Sequence, residues 1–331
     1  MLKFSVIIPV FNRPDELREL LLSLTRQTLQ IFEVIIVEDG SVLKSDNVVQ
    51  DFRHLLPVQY FYKKNSGPGL SRNYGAEKAQ TDFFIFLDSD CILPEDYFQN
   101  IEIFNASHDM KCFGGPDKAH PDFSPIQKAI NYSMTSFLTT GGIRGGKKKV
   151  IKFHPRSFNM GFSRIVFQKT GGFRGMRFGE DIDLSLRIEK EGFKCYLIEN
   201  AYVFHKRRTD FKKFFKQIYN SGIARINLFK LHPTSLKATH FAPAIFTLYL
   251  FISLVAGMLN WPWLSILLLI YLLVIFGHAT VVNVNVWVGF LSVIATLVQM
   301  ISYGTGFLLA FFSRIVLGKK EFSAFEENFY K

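Results

Sequence analysis

Two hydrophobic rhythms alternate through the first hundred residues. Phe4 to Phe11 is an apolar, β-branched run of strand length. Pro14 then suits the first turn of a helix, Asp15 and Glu16 favour its positive end, and Leu17, Leu20, Leu21 and Leu24 give it one apolar face. The alternation continues with strands predicted over 32–37, 58–62 and 83–87 and helices over 45–55, 71–79 and 94–104, a Gly67-Pro68-Gly69 turn preceding the second of these helices. Strands that alternate with helices predict an α/β fold with a mostly parallel sheet covered on both faces. Ligands of such sheets bind beyond the carboxyl ends of the strands. Two of those ends are acidic: Glu38-Asp39 closes the second strand and Asp88-Ser89-Asp90 the fourth.

Beyond Asp210 the pattern changes. Phe211, Phe214, Phe215 and Ile218 recur at helical spacing among Lys212, Lys213, Lys216, Arg225 and Lys230, which predicts a helix with one apolar and one basic face at a bilayer surface. From Ala238 to Ser313 the chain holds no Asp, Glu, Lys or Arg. His240 to Leu259, Leu264 to Val281 and Val286 to Phe312 are each long enough to cross a membrane, with Asn260-Trp-Pro-Trp263 as a turn carrying interfacial aromatics. The expected organisation is a catalytic block over 1–209, a basic interfacial segment over 210–237, about three membrane helices over 238–318 and a short polar tail over 319–331. Three crossings place the chain ends on opposite sides, whereas Arg314, Lys319 and Lys320 favour the side of the other basic residues, unless the last segment bends back near Gly304 and Gly306.

Composition sharpens this picture. The 331 residues carry 39 Lys and Arg against 28 Asp and Glu, a net charge of +11, and only four of the basic residues follow Lys237. Beside a membrane segment, that excess points to anionic lipid or a phosphate-rich substrate rather than nucleic acid. Cys91, Cys112 and Cys195 have no metal-like spacing; they argue against a disulfide framework and fit a reducing compartment. With no signal peptide at the start, the first block is expected on the cytoplasmic side of the cell inner membrane, in a multi-pass protein.

The acidic strand ends have two readings. Asp-Gly-Ser after a strand is a common turn, and Asp88-Ser89-Asp90 is able to cap a helix. Two carboxylates one residue apart at a strand end are also able to hold a hard divalent cation shared with a diphosphate. Taken in order, Ser5-Val-Ile-Ile-Pro-Val-Phe-Asn-Arg13, Val34-Ile-Ile-Val-Glu-Asp-Gly-Ser41, Gly67-Pro-Gly-Leu-Ser-Arg-Asn-Tyr-Gly75, Phe83-Phe-Ile-Phe-Leu-Asp-Ser-Asp90, Gly171-Gly-Phe173 and Gly179-Glu-Asp-Ile-Asp-Leu184 resemble the family 2 glycosyltransferases of GT-A fold, over roughly the first 230 residues. Ser302-Tyr-Gly-Thr-Gly-Phe307 is similar to membrane-attached members that build bacterial exopolysaccharides.

The resemblance implies a GT-A domain that transfers a sugar from a UDP- or GDP-linked donor to a lipid-linked glycan, with inversion and with Mn²⁺ or Mg²⁺. It implies that Pro9, Phe11, Glu38, Asp39, Arg72, Asp88 and Ser89 surround the donor, and that Asp88, Asp90 and His205 hold the metal. Asp181 is the general base implied for the acceptor hydroxyl, with Glu180 as its neighbour and alternative, and Asn159 an acceptor-side contact. The residues alone also allow Glu180, Asp181 and Asp183 to be mere helix N-terminal acids. Arg207 and Arg208 fit a diphosphate or lipid headgroups. Gln217 to Arg225 lacks the Trp and the spacing of the processive QxxRW signature. Gly141-Gly-Ile-Arg-Gly-Gly-Lys-Lys148 spells a near P-loop but has Lys148 where Ser or Thr is needed, and 139–150 is expected to be a basic loop near the site. Two alternative functions are transfer directly onto polyprenyl phosphate and a non-catalytic membrane scaffold.

Overall fold

The computed structural model describes residues 3–118, 120, 122–140, 153–176 and 178–319. The first part of the chain forms β1 (Phe4–Val10), α1 (Pro14–Thr25), β2 (Phe32–Asp39), α2 (Asp46–Phe52), β3 (Val58–Lys63), α3 (Pro68–Lys78), β4 (Phe83–Leu87), β5 (Cys91–Ile92), α4 (Tyr97–Ser107), β6 (Cys112–Gly114) and β7 (Asp117–Lys118). Then follow α5 (Pro125–Thr135), α6 (Phe137–Thr140), β8 (Asn159–Ser163), α7 (Arg164–Thr170), α8 (Glu180–Lys190), β9 (Cys195–Leu197), β10 (Val203–His205) and α9 (Phe211–Leu231). Three apolar helices end the described chain: α10 (Ala242–Met258), α11 (Trp263–Asn283) and α12 (Val286–Phe311).

The main sheet has seven strands in the order β3-β2-β1-β4-β8-β6-β9. β3, β2, β1 and β4 are parallel, β8 runs against both β4 and β6, and β9 is parallel to β6. A second sheet pairs β10 with β5 and β7. The strand alternation splits the core. Val6, Ile8, Val34 and Ile36 pack with the Leu17, Leu20, Leu21 and Leu24 face of α1, while Ile7, Ile35 and Val37 face the α3 side with Ala76. α3 lies so close to β1 that a side chain at Gly75 would meet Ile7 Cγ2 at 2.5 Å.

Three expectations need correction. α3 starts at Pro68, capped by Gly67 at φ 91°, so the Gly-Pro-Gly turn is the beginning of the helix. Cys112 and Cys195 form a disulfide: they sit in register on β6 and β9, a pairing 83 residues apart in sequence. The chain also divides into two compact units that do not follow the linear boundaries. Residues up to His120 and from Phe153 to Lys206 form one unit, and residues 122–140 join the chain from Arg207 onward in the other. The cause is α5, whose buried Ala129, Ile130 and Met134 share a cluster with Phe214, Val288 and Leu291.

In the second unit, Asp210 caps α9 by accepting the Lys213 N–H at 2.7 Å. The spans Ala238–Met258, Trp263–Asn283 and Val286–Val316 are each long and apolar enough to cross a membrane. α12 runs without interruption through Gly304 and Gly306, so no bend forms there.

Candidate active site

The order β3-β2-β1 followed by β4 on the far side of β1 puts the topological switch between β1 and β4, the place where such sheets bind ligands beyond the strand ends. Pro9 is the next-to-last residue of β1, and Phe11, Asn12 and Arg13 lead out of it. Asn12, at φ 53°, accepts the N–H groups of Val42 and Leu43 at 2.8 and 3.0 Å and donates its own N–H to Ser41 Oγ. It thereby ties the loop after β1 to the loop after β2. Arg13 reaches across the switch and donates to Asp90 Oδ2 at 2.6 Å.

Asp90 Oδ1 lies 3.1 Å from His205 Nε2, and the imidazole stacks on Phe158. Asp90, Cys91 and His205 form a cluster with spacing suited to a metal among the described residues. Burial and the neighbouring Asp90 and Asp88 push the Cys91 thiol well up, and Cys91 Sγ donates to the Phe158 carbonyl at 3.5 Å. The carboxylate of Asp90 and the imidazole of His205 are donors that fit a divalent cation taking its remaining ligands from a diphosphate. Asp88 is not in that cluster. Its Oδ1 accepts from Arg72 at 2.5 Å.

Arg72 joins three elements. From α3 its guanidinium donates to Asp88, past the end of β4, and to Glu180 Oε1 at 3.2 Å, at the start of α8, while lying over the Phe173 ring at 5.3 Å. Its Nε is buried without a partner. Burial, then the neighbouring Asp181, pushes the Glu180 carboxyl up to about 7, against the pull of Arg72. Asp181 is less buried. Its Oδ2 is 3.5 Å from Arg156, and its Oδ1 accepts the Ile182 N–H. Asp183 is fully buried between Arg174 and Arg187, where it holds the chain before α8 in place. The three acids of one helix turn therefore face four different guanidinium groups, Asp183 two of them.

Other expected site residues are placed elsewhere. Glu38 points to the face opposite Asp39, and its carboxylate is engaged by the Ser41 hydroxyl, the Ser45 N–H at 2.8 Å and the Tyr60 hydroxyl at 3.2 Å. Asp39 accepts the Ser66 and Gly67 N–H groups at 2.9 and 2.8 Å and pairs with Lys63, so it fixes the turn into α3. Ser89 is buried beside these acids. Asn159 is wholly buried; its Oδ1 accepts from the Tyr97 hydroxyl at 2.6 Å and its Nδ2 donates to the Ala201 carbonyl at 2.8 Å, so no acceptor faces it. Arg207 donates to Asn131 on α5 and Arg208 to Gln217 on α9, all within the second unit. Residues 141–150 lie outside the described residues. Sequence reasoning assigned no role to Arg13, Lys63 or Arg156. Arg13 ended a recognised motif and Arg156 opened the Arg156–Phe162 stretch that resembles the family's acceptor-side segment; Lys63 carried no local signal.

The glycosyl transferase family 2 profile matches residues 5–171, half of the chain. An uncharacterized glycosyltransferase of Haemophilus influenzae is 30% identical over 218 residues, which span 62% of this chain and 69% of that protein. The poly(ribitol-phosphate) β-N-acetylglucosaminyltransferase TarS of Staphylococcus aureus is 33% identical over 112 residues, 33% of this chain and 20% of TarS. An uncharacterized glycosyltransferase of Rickettsia bellii matches over 13% of its length. Among solved structures, the mannosyltransferase PcManGT of Pyrobaculum calidifontis, in complex with GDP-Man and Mn²⁺, superposes with a TM-score of 0.64 over 92% of this chain and 87% of its own, at 14% identity, and so shares the fold. With the profile spanning the parallel strands and both acidic strand ends, the chain belongs to glycosyl transferase family 2 and is a glycosyltransferase.

Proposed function

We propose that this enzyme moves one sugar, with inversion, from a UDP- or GDP-linked donor to a lipid-linked glycan during assembly of a cell-surface polysaccharide at the inner membrane. The observation that carries the reading is the arrangement at the β1/β4 switch: Asp90 between Arg13 and His205, and Arg72 joining Asp88 to Glu180. Asp90 and His205 would hold a divalent cation, Mn²⁺ or Mg²⁺, whose charge offsets that of the departing nucleoside diphosphate. The similarity to PcManGT, with its GDP-Man and Mn²⁺, supports a nucleotide-sugar donor and the cation.

Asp181 takes the proton from the acceptor hydroxyl as that oxygen attacks the anomeric carbon from the face opposite the leaving group. Its partial exposure and long pairing to Arg156 leave it able to meet an acceptor, whereas Glu180 is committed to Arg72. Arg72 and Arg13 reorient toward diphosphate oxygens as their carboxylate partners turn to the cation or the sugar. Pro9, Phe11 and Ser89 border the donor, and Asp39 acts on it through the turn it fixes.

The test is nucleotide release from a panel of UDP- and GDP-sugars by the detergent-solubilised protein, with a membrane-lipid extract as acceptor. Metal-dependent turnover of one donor, lost in Asp90→Ala and Asp181→Asn, is the expected result. Turnover that survives chelation and both substitutions sinks the reading. A second acceptor, polyprenyl phosphate itself, is favoured by one feature: residues 211–319 hold basic residues and no acid. An anionic nucleophile needs little base, so a mild effect of Asp181→Asn on that acceptor, beside a severe one on glycans, identifies it.

A further inference from the structure

α12 is apolar enough to span a bilayer, yet its surroundings are not those of a span. It runs beside α9 in the same direction. Gly306 lies against Tyr219 and Gly222 against Tyr303, so closely that an added Cβ would sit 2.2 and 2.3 Å from the facing carbonyl oxygens. Further along, Asn227 accepts from Arg314, and Lys230 Nζ reaches the Arg314 carbonyl at 3.3 Å. At the other end, Phe214 and Ile218 share a buried cluster with Leu291 and Ala295. α9 carries Lys212, Lys213, Lys216, Arg225 and Lys230. A helix with five basic side chains does not cross hydrocarbon, and α12, held beside α9 along its length, lies at the same depth.

The contacts of α12 with the other two apolar helices point the same way. α10 and α11 form an antiparallel hairpin, joined by Tyr249 to the Leu264 carbonyl at 2.7 Å and Ser265 to the Ser253 carbonyl at 2.9 Å. An antiparallel third span would bring Gly304 beside the hairpin tip at Asn260–Trp263. Gly304 instead abuts Pro243 and Thr247, and Thr247 donates to the Met300 carbonyl. Gly289 abuts Thr280, and Val293 packs on Ile275 and Ala279. α12 thus lies across the base of the hairpin, from the end of α11 to the start of α10. Above that base the hairpin exposes Phe251, Leu254, Met258, Trp261 and Leu267.

We infer that the α10–α11 hairpin is the part that crosses the bilayer, and that α9 and α12 lie side by side along one membrane surface with both flanks of the hairpin on the same side. The inference holds whatever sugar or acceptor the enzyme uses. Helices of 17 and 21 residues measure about 26 and 32 Å, against roughly 30 Å of hydrocarbon. Trp261 and Trp263 fall at the far interface. Lys212, Lys213, Lys216, Lys230, Lys237, Arg314 and Lys319 then share one headgroup layer, whereas three crossings would separate the last two from the rest.

Single-cysteine variants of the full chain test this. Lys213→Cys, Trp261→Cys and Leu317→Cys are treated with a membrane-impermeant maleimide in intact cells and after permeabilisation, with the unsubstituted chain as blank. Labelling of Trp261→Cys in intact cells, and of the other two only after permeabilisation, is expected. Labelling of Leu317→Cys in intact cells overturns the inference, and so does a Trp261→Cys that labels only after permeabilisation. A protease site inserted after Lys319 reads the same flank independently: cleavage only after permeabilisation supports the inference, and cleavage in intact cells overturns it.

Discussion

The acidic ends of β2 and β4 look alike in sequence and differ in kind. Glu38 and Asp39 are met mainly by fixed donors, the Ser45, Ser66 and Gly67 N–H groups and the Ser41 and Tyr60 hydroxyls, with the Lys63 ammonium as the one long side chain, on Asp39. Asp88 and Asp90 are met by the ends of two arginines and by His205. Backbone donors cannot leave without unfolding the turn they belong to, whereas a long cationic side chain can swing to a diphosphate. On the proposed function, the first pair is expected to build loops and the second to handle a ligand. What separates them is the mobility of the partner, not the carboxylates.

The largest effect that would sharpen this contrast is on turnover. Asp90→Ala is expected to lower it by about 10²–10⁴-fold with little change in stability. A chelator should bring the unsubstituted enzyme to the same level and leave the variant unaffected. If Asp90→Ala turns over normally, the contrast fails at its functional end.

Next comes stability. Glu38→Ala leaves the Ser41, Ser45 and Tyr60 donors buried and is expected to cost about 2–4 kcal/mol, read from the urea midpoint, while each folded molecule keeps its turnover. A stable Glu38→Ala protein with weakened donor binding would move Glu38 into the ligand-handling group. Asn159→Ala should behave as a smaller version, losing about 1–3 kcal/mol through the Tyr97 and Ala201 bonds, with acceptor KM unchanged. A raised acceptor KM at unchanged stability would restore it as an acceptor contact.

The smallest effect concerns pH. Burial raises the folded Glu180 carboxyl to about 7 from its ordinary 4.5, so the folded protein binds an extra proton between those values. That contribution to stability is complete below about pH 4.5 and is lost as pH rises through 7. Without donor or metal, the unsubstituted protein should lose on the order of 1–3 kcal/mol between pH 4.5 and 8 relative to Glu180→Gln. Parallel curves for the two proteins would mean that Arg72 keeps Glu180 ionised throughout.

Local signals in the sequence carried the parallel strands, α1, the N-terminus of α8 and the apolar helices, because each depends on residues within a few turns of one another. They also brought Asp39, Asp90 and Glu180 to notice as acids at strand and helix ends, each with a turn or capping use beside the functional one, and the family resemblance added Arg72. What was not legible depends on distant pairing. The Arg13–Asp90 bridge needs the β1–β4 neighbourhood, the Cys112–Cys195 bond needs the β6–β9 register, and the transfer of α5 to the second unit needs the face it shares with α9 and α12. The burial of Asn159 was illegible for the same reason: its partners, Tyr97 and Ala201, are far away in the chain.

The interruption of the first unit by residues 122–140 has a consequence for the chain as it is made. β4 is flanked by β1 and β8, but Asn159, which pairs with Leu87, is translated about 70 residues later, roughly 4–14 s at ordinary synthesis rates. For that interval a four-stranded half-sheet leaves the ribosome with the Phe83–Leu87 edge bare and the α10–α11 hairpin still unmade. A nascent-chain chaperone or a second ribosome's product has its best opportunity there, before the first membrane residue is synthesised.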